Sequence, residues 1–430
     1  MDLDTTYLAA SAAGAVNTLN AWRPLTRRSR AAAMTFFPGW LTSELPLPTI
    51  AWQAAATGLF AAGGGLRTTT GKAGLALSLA SWAGLYGLHR VATQSDKVLE
   101  AALVEGLGRG YRDRMAASFA PPADVPITRR QIATPFQPWR RRYATDRNLA
   151  YGGDKGRRSK LDIWKRADLP LDAKAPVLVQ VHGGGWVIGN KEQQAMPLMA
   201  HMADRGWVCV AINYPLSPRA TWPDHIVEVK RALAWVKANI AAHGGDPDFV
   251  VITGGSAGGH LSSLAALSAN DPELQPGFED ADTSVVAAVP FYGVYDFTNR
   301  DGTGNAHMED FLARVVLKAK LNDRRALWEQ ASTMSWVSPE APPFFIIHGS
   351  NDSLVPIEQA RSFAAMMRAA STKEVVFAEL PRAQHAFEVF SSVRAMHTIR
   401  AVDRFLAVIR SEHGERSAPT TADEPAAIPD

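Results

Sequence analysis

Phe249-Val250-Val251-Ile252-Thr253-Gly254-Gly255-Ser256-Ala257-Gly258-Gly259-His260 is the stretch from which the rest of this chain can be read. Its first five residues are a short apolar run rich in β-branched side chains, the pattern of a buried strand. From Leu261 to Leu267 the spacing turns helical, and Asn270-Asp271-Pro272 ends it. Between strand and helix lies Gly254-x-Ser256-x-Gly258, the nucleophile-elbow pattern. A serine on so tight a turn occupies strained backbone. Cβ atoms two residues to either side would collide with strand and helix, so glycine stands there. The turn lifts the hydroxyl above the sheet, at the positive end of a helix.

A second glycine run, His182-Gly183-Gly184-Gly185-Trp186, directly follows the apolar stretch Pro176–Val181. Three consecutive glycines let backbone N–H groups face a cavity without side chains in the way, as an oxyanion requires. Gly184 and Gly185 are the expected donors, with Ala257 supplying a third at the start of the elbow helix. His182 is expected to orient this loop rather than to move protons.

An acid and a base follow in the order Ser, Asp, His. Asp352 comes after the strand Phe344–Ile347, and His385 after the strand Glu374–Phe377, 96 and 129 residues beyond Ser256. A serine hydroxyl needs a base to become nucleophilic, and a histidine can take its proton and return it to a leaving alcohol. The aspartate would fix the imidazole tautomer. Asp296, in Tyr292-Gly293-Val294-Tyr295-Asp296, is an alternative acid. His260, His348 and His397 are alternative bases, though the first two are expected to pack and the third falls inside the last helix.

From residue 149 onward buried apolar strands alternate with helices, so the fold class is α/β, a mostly parallel sheet with helices on both faces. Ligands bind such sheets at the carboxyl ends of strands, where every candidate above lies. The chain resembles the α/β-hydrolases of the hormone-sensitive-lipase-like carboxylesterase family, which includes arylacetamide-deacetylase-type enzymes. The resemblance rests on His182–Trp186, Asn213-Tyr214-Pro215-Leu216-Ser217-Pro218, Gly254–Gly259, Asp352 with Ser353-Leu354-Val355-Pro356, and His385. It covers about residues 150 to 410. It implies a serine esterase or lipase with Ser256, Asp352 and His385 as triad and Gly184, Gly185 and Ala257 as oxyanion hole. It also implies a cap over the site, for which residues 100–145 and the insertion 299–338 are the candidates. The sequence Asn351-Asp352-Ser353 departs from the family's common D-P-L pattern. Trp186, Tyr214, Trp222 and Phe387 are the expected substrate-binding residues, and apolar esters the expected substrates. Amide or peptide hydrolysis on the same triad and a non-catalytic receptor on this fold are the alternatives.

The N-terminal quarter reads differently. Leu45–Leu66 runs 22 residues without a charge and Ala73–Leu88 runs 16. As helices these are about 33 and 24 Å long, against a hydrocarbon core of roughly 30 Å. Both are rich in alanine and glycine. A spanning hairpin, an interfacial hairpin and a helical pair buried on the catalytic domain are all compatible with the pattern. Membrane association through residues 45–88 is the expectation, with the cytoplasmic face favoured by flanking basic residues. The acidic start Met1-Asp2-Leu3-Asp4 lacks the basic region of a cleavable signal.

The resulting division is a helical, membrane-associated region (1–110), a linker or cap segment (111–148), a catalytic domain (149–412) and a disordered tail (413–430). Deleting residues 1–95 is expected to leave a folded catalytic domain. Net charge is +3, too small to argue for nucleic acid. The single cysteine, Cys209, permits no intrachain disulfide. Neither a metal cluster nor a dinucleotide fingerprint appears, so no cofactor is expected. The oligomeric state is not legible.

Overall fold

A computed structural model of the chain describes residues 2–26, 32–121, 127–128, 142–152, 156–304 and 306–417. Five helices come first: α1 (Leu3–Trp22), α2 (Ala32–Glu44), α3 (Pro46–Ala62), α4 (Thr69–Thr93) and α5 (Ser95–Leu107). The remainder runs β1 (Ala144–Ala150), β2 (Lys160–Trp164), β3 (Ala175–Val181), α6 (Met196–Asp204), β4 (Val208–Ile212) and α7 (Asp224–Asn239). Then come β5 (Gly245–Gly255), α8 (Ala257–Leu267), β6 (Ala287–Phe291), α9 (Ala306–Phe311), α10 (Arg325–Ala331), β7 (Phe344–Gly349), α11 (Ile357–Ala370), β8 (Val375–Leu380) and α12 (Val393–Ser417).

The eight strands lie in the order β1-β2-β4-β3-β5-β6-β7-β8. Pairs β1/β2 and β2/β4 are antiparallel, and the rest are parallel. Each parallel strand is apolar on both faces because helices cover both. On one face Val177, Val179, Val250 and Ile252 pack against α7, α8 and α11. On the other, Leu178, Val251 and Val289 pack against α5, α6 and α12. Helix α5 thus belongs to the catalytic layers: a Cβ on its Gly106 would stand 2.7 Å from Val376 Cγ2. The catalytic body therefore begins earlier in the chain than residue 149. The expected tail is helical as far as Ser417, and residues 418–430 lie outside those described.

Helices α1 to α4 form a bundle, and the reason for their alanine and glycine content is visible in it. The α1–α4 seam is built of small polar residues. Thr18 Oγ1 and Ser81 Oγ are 2.7 Å apart, Ser78 Oγ donates to Ser11 Oγ at 2.9 Å, and Tyr7 OH lies 3.2 Å from both Ser78 Oγ and Thr57 Oγ1. Gly74 and Gly84 let the backbones approach: a Cβ on either would meet Tyr7 or Thr18 within 3 Å. The composition that reads as a weak membrane span therefore serves close helix packing. Among the described residues no helix is long and apolar enough to cross a membrane, which removes the spanning reading. Asp2 and Thr68 cap α1 and α4 by accepting from Thr5 N and Gly71 N.

Among the described residues, the cover of the site comes from α2 and the insertion 299–338. Of the expected cap segment 100–145, residues 100–107 lie in α5 on the sheet, while 122–126 and 129–141 lie outside the described residues. The insertion 299–338 does lie over the site, its Phe311 Cζ 3.9 Å from where a Cβ on Gly185 would be. The other side is closed by α2, which brings Phe36 against His385.

Candidate active site

Strand β5 runs into the elbow at Gly255, and Ser256 sits there at φ 59°, ψ −121° before α8 begins. The glycines are demanded by contact. A Cβ on Gly254 would lie 2.5 Å from Gly258 O, and one on Gly258 would lie 2.1 Å from Val181 O. Ser256 N donates to Phe291 O at 3.0 Å, tying the turn to β6.

The glycine loop after β3 lies beside this turn. A Cβ on Gly183 would be 3.1 Å from Ser256 Cβ. Gly184 and Gly185 hold φ of 111° and 59°, and Gly184 O accepts from Val187 N and Ile188 N, closing the loop on itself. Gly183 N donates to Gln194 Oε1 at 2.6 Å. His182 is buried, stacks on Tyr214 at 4.3 Å, and shares a hydrogen bond with Gly183 O. Burial depresses its pKa to about 4, so it is neutral and acts on loop shape.

Asp352 follows β7 and His385 follows β8, and the two meet with Nδ1–Oδ2 at 2.6 Å. Asp352 also accepts from Leu354 N and Val355 N. Burial opposes its ionisation, but the His385 and His348 rings outweigh that and hold the carboxyl well below the usual range. Asp296 instead organises its own turn, accepting from Thr298 N, Thr298 Oγ1 and Arg300 N. His260 is buried between Trp186 Nε1 and Ala331 O, and burial brings its pKa down to about 3. Among the described residues no hydrogen bond joins Ser256 to His385, a link that is often long until substrate arrives. Tyr292 packs beside both elements: its ring lies 4.4 Å from that of His385, and a Cβ on Gly255 would stand 2.6 Å from its hydroxyl.

The four aromatics expected to meet substrate are buried in packing. Trp186 and Tyr214 hold the glycine loop through His260 and His182, Trp222 Nε1 donates to Gln330 Oε1, and Phe387 packs on Phe291 and Tyr292. Their rings are taken up in packing contacts with neighbouring loops and strands rather than left open.

His348, an alternative base by sequence, sits behind the acid: its Nε2 lies 3.2 Å from the same Asp352 oxygen that His385 uses. Glu388 and Phe36 were not singled out from the sequence. Tyr292 OH donates to Glu388, whose carboxyl burial pushes up to about 7. Phe36 of α2 meets the His385 ring edge-on at 6.1 Å. His348 and Asp352 meet only because the chain turns sharply after β7, and Phe36 lies 349 residues from its partner and has no local signal.

Comparison with known proteins shows the family. Residues 161–367 match the BD-FAE family. The chain is 48% identical over 422 residues to LipM of Mycobacterium tuberculosis, a probable carboxylic ester hydrolase, covering 96% of each chain. It is 45% identical over 388 residues to Esterase LipQ of the same organism, covering 90% of this chain and 87% of the other. Among solved structures, the butyrate-bound esterase Est2 of Thermogutta terrifontis superposes with a TM-score of 0.53 at 25% identity, covering 62% of this chain and 94% of Est2. The same esterase phosphonylated by sarin gives 0.54 at 26% identity, with 61% and 94% covered.

Proposed function

The chain belongs to the family of carboxylic ester hydrolases that includes LipM and LipQ, and on that premise we propose that it cleaves esters with apolar acyl chains through an acyl-enzyme on Ser256. The observation that carries this reading is the 2.6 Å pairing of His385 Nδ1 with a buried, ionised Asp352, beside the elbow that presents Ser256.

Asp352 accepts a hydrogen bond from Nδ1–H of His385, which holds the imidazole in the tautomer whose Nε2 is free to take the proton of the Ser256 hydroxyl. Ser256 Oγ then attacks the ester carbonyl carbon. The carbonyl oxygen becomes an oxyanion facing the N–H groups of Gly184, Gly185 and Ala257, with the α8 N-terminus adding its positive end. His385 returns the proton to the alkoxide, and the alcohol leaves. Water activated by the same imidazole releases the acid and restores the hydroxyl.

An apolar acyl chain is favoured by what stands near His385: Phe36 and, beyond it, the stacked rings of Trp40 and Phe390. Association with a lipid surface is part of the same proposal. Of the fourteen exposed large apolar side chains among the described residues, twelve lie between Leu3 and Tyr86, and α3 carries no charge. Met34, Phe37 and Leu41 of α2 are among them, on the helix that closes the site. We place this surface at a membrane interface, with the mouth of the site turned toward it.

Hydrolysis of p-nitrophenyl esters with acyl chains of about two to sixteen carbons tests the chemistry. Turnover that disappears in Ser256→Ala is expected; turnover that persists would move the nucleophile elsewhere. Co-sedimentation with phosphatidylcholine–phosphatidylglycerol vesicles tests the surface, and protein left wholly in the supernatant would remove it.

A further inference from the structure

The loop that carries His385 is strained on both sides of it. Arg382 and Ala386 hold positive φ of 57° and 60°. Neither is glycine, and such backbone persists only where its surroundings over-determine it. Each is held by a tryptophan from the N-terminal helices. Arg382 Nη1 donates to Trp22 O at 2.9 Å, and its guanidinium lies over the Trp22 ring at 5.4 Å. Trp40 Nε1 donates to Ala386 O at 2.8 Å, and its ring stacks on Phe390 at 4.5 Å.

The loop that carries Asp352 is held by the same helices. Asn351 Nδ2 donates to Ala21 O and Trp22 O, both at 3.0 Å, at the end of α1. The holding elements are themselves anchored. Glu44, at the end of α2, is fully buried against Arg394, and it also accepts from Ser392 Oγ at 2.9 Å. Within the catalytic body the two loops are joined by Gln384, whose Oε1 accepts from Ser353 N and His385 N. Outside it, α1 and α2 bind one flank of each.

We propose that α1 and α2 brace the acid and base loops of the triad, with Trp40 and Asn351 as positioning residues for turnover. This rests on the assignment of Ser256, Asp352 and His385 given above. The base must stay aimed at Ser256 through two proton transfers, and a displacement of about 1 Å costs up to roughly a hundred-fold in rate. A brace on loops from separate strands supplies that constraint without touching substrate.

The test compares Trp40→Phe, which keeps the ring on Phe390 and deletes the N–H, with Asn351→Ala on the other loop. Tyr7→Phe is the control: it removes hydrogen bonds inside the bundle, away from the triad. The readouts are kcat and KM on p-nitrophenyl butyrate, the pH profile of kcat/KM, the acyl-enzyme burst and the melting temperature. In the two brace variants kcat is expected to fall about ten-fold with KM within about two-fold and the acid limb of the profile displaced. Tyr7→Phe is expected to lower the melting temperature and leave kcat alone. If both brace variants melt earlier yet keep kcat and pH profile, the helices only stabilise and the proposal falls. If Trp40→Phe does not fold, Asn351→Ala decides alone. A burst that survives Ser256→Ala would instead overturn the triad assignment, and the brace with it.

Discussion

Ser256 holds a backbone conformation that side chains rarely adopt, and α8 begins on the next residue. The strain belongs to the backbone and Cβ, which alanine retains. Ser256→Ala is therefore expected to remove turnover to below about one part in a thousand while moving the melting temperature by less than about 2 °C. A steady-state assay beside a thermal melt checks both halves. At this scale the sequence was an accurate guide to position: Ser256, Asp352 and His385 are where strand-to-loop patterning puts them, because each follows a β-branched or apolar run. It was a poor guide to the pocket walls. Trp186, Tyr214, Trp222 and Phe387 were legible as large aromatics near the motifs, but nothing local distinguishes a ring that faces substrate from one that holds a loop.

The elbow and its helix act as one element. Gly258 on α8 passes so close to β3 that an added methyl would stand 2.1 Å from Val181 O and 2.8 Å from His182 O. Both atoms are backbone and cannot swing aside. Gly258→Ala is expected to cost roughly 1–3 kcal/mol and to push the oxyanion loop away from Ser256, so that kcat falls with stability. Urea unfolding and kcat measured on the same preparation check this, and unchanged values for both would show that β3 yields. The bundle helices show the reverse limit of pattern reading. An alanine- and glycine-rich stretch is equally consistent with weak insertion in lipid and with tight helix packing. What decides between them is the partner surface, here Tyr7, Ser11 and Thr18 of α1.

Across the whole molecule, the bundle and the catalytic body are joined by buried polar contacts. Removing residues 1–94 would strip Glu44 from Arg394 and bare the apolar surface that α2 covers at Phe390 and beside His385. The truncated chain is therefore expected to aggregate or melt far below the full-length protein, the opposite of what the sequence led us to expect. Size-exclusion chromatography and a melt of the truncated protein check it.

Stability is expected to depend on pH through groups far apart in the fold. His182, His225 and His260 are buried, and desolvation depresses them to about 4, 4 and 3. Unfolded, each takes a proton near pH 6.5, so their contribution is full above that value and is lost as pH falls toward 4. Glu388 has the contrary sign. Raised by burial to about 7, it favours the fold when protonated, and that contribution is lost as pH rises through 7. Urea midpoints are expected to fall between pH 6.5 and 4, and Glu388→Gln to stabilise more at pH 8 than at pH 5. A flat profile would mean that the histidines are hydrated.

The sequence by itself determined the catalytic sheet, its elbow and the residues that end up around it, because each rests on a local period or on glycine where backbone must pass backbone. Only the tertiary structure decided what covers the site, where the N-terminal helices belong and which side chains hold the triad loops. Those contacts join residues more than 300 positions apart, such as Trp40 with Ala386 and Asn351 with Ala21. Pairings over such separations leave no periodic trace, since either partner alone is an ordinary polar or aromatic residue on its own element.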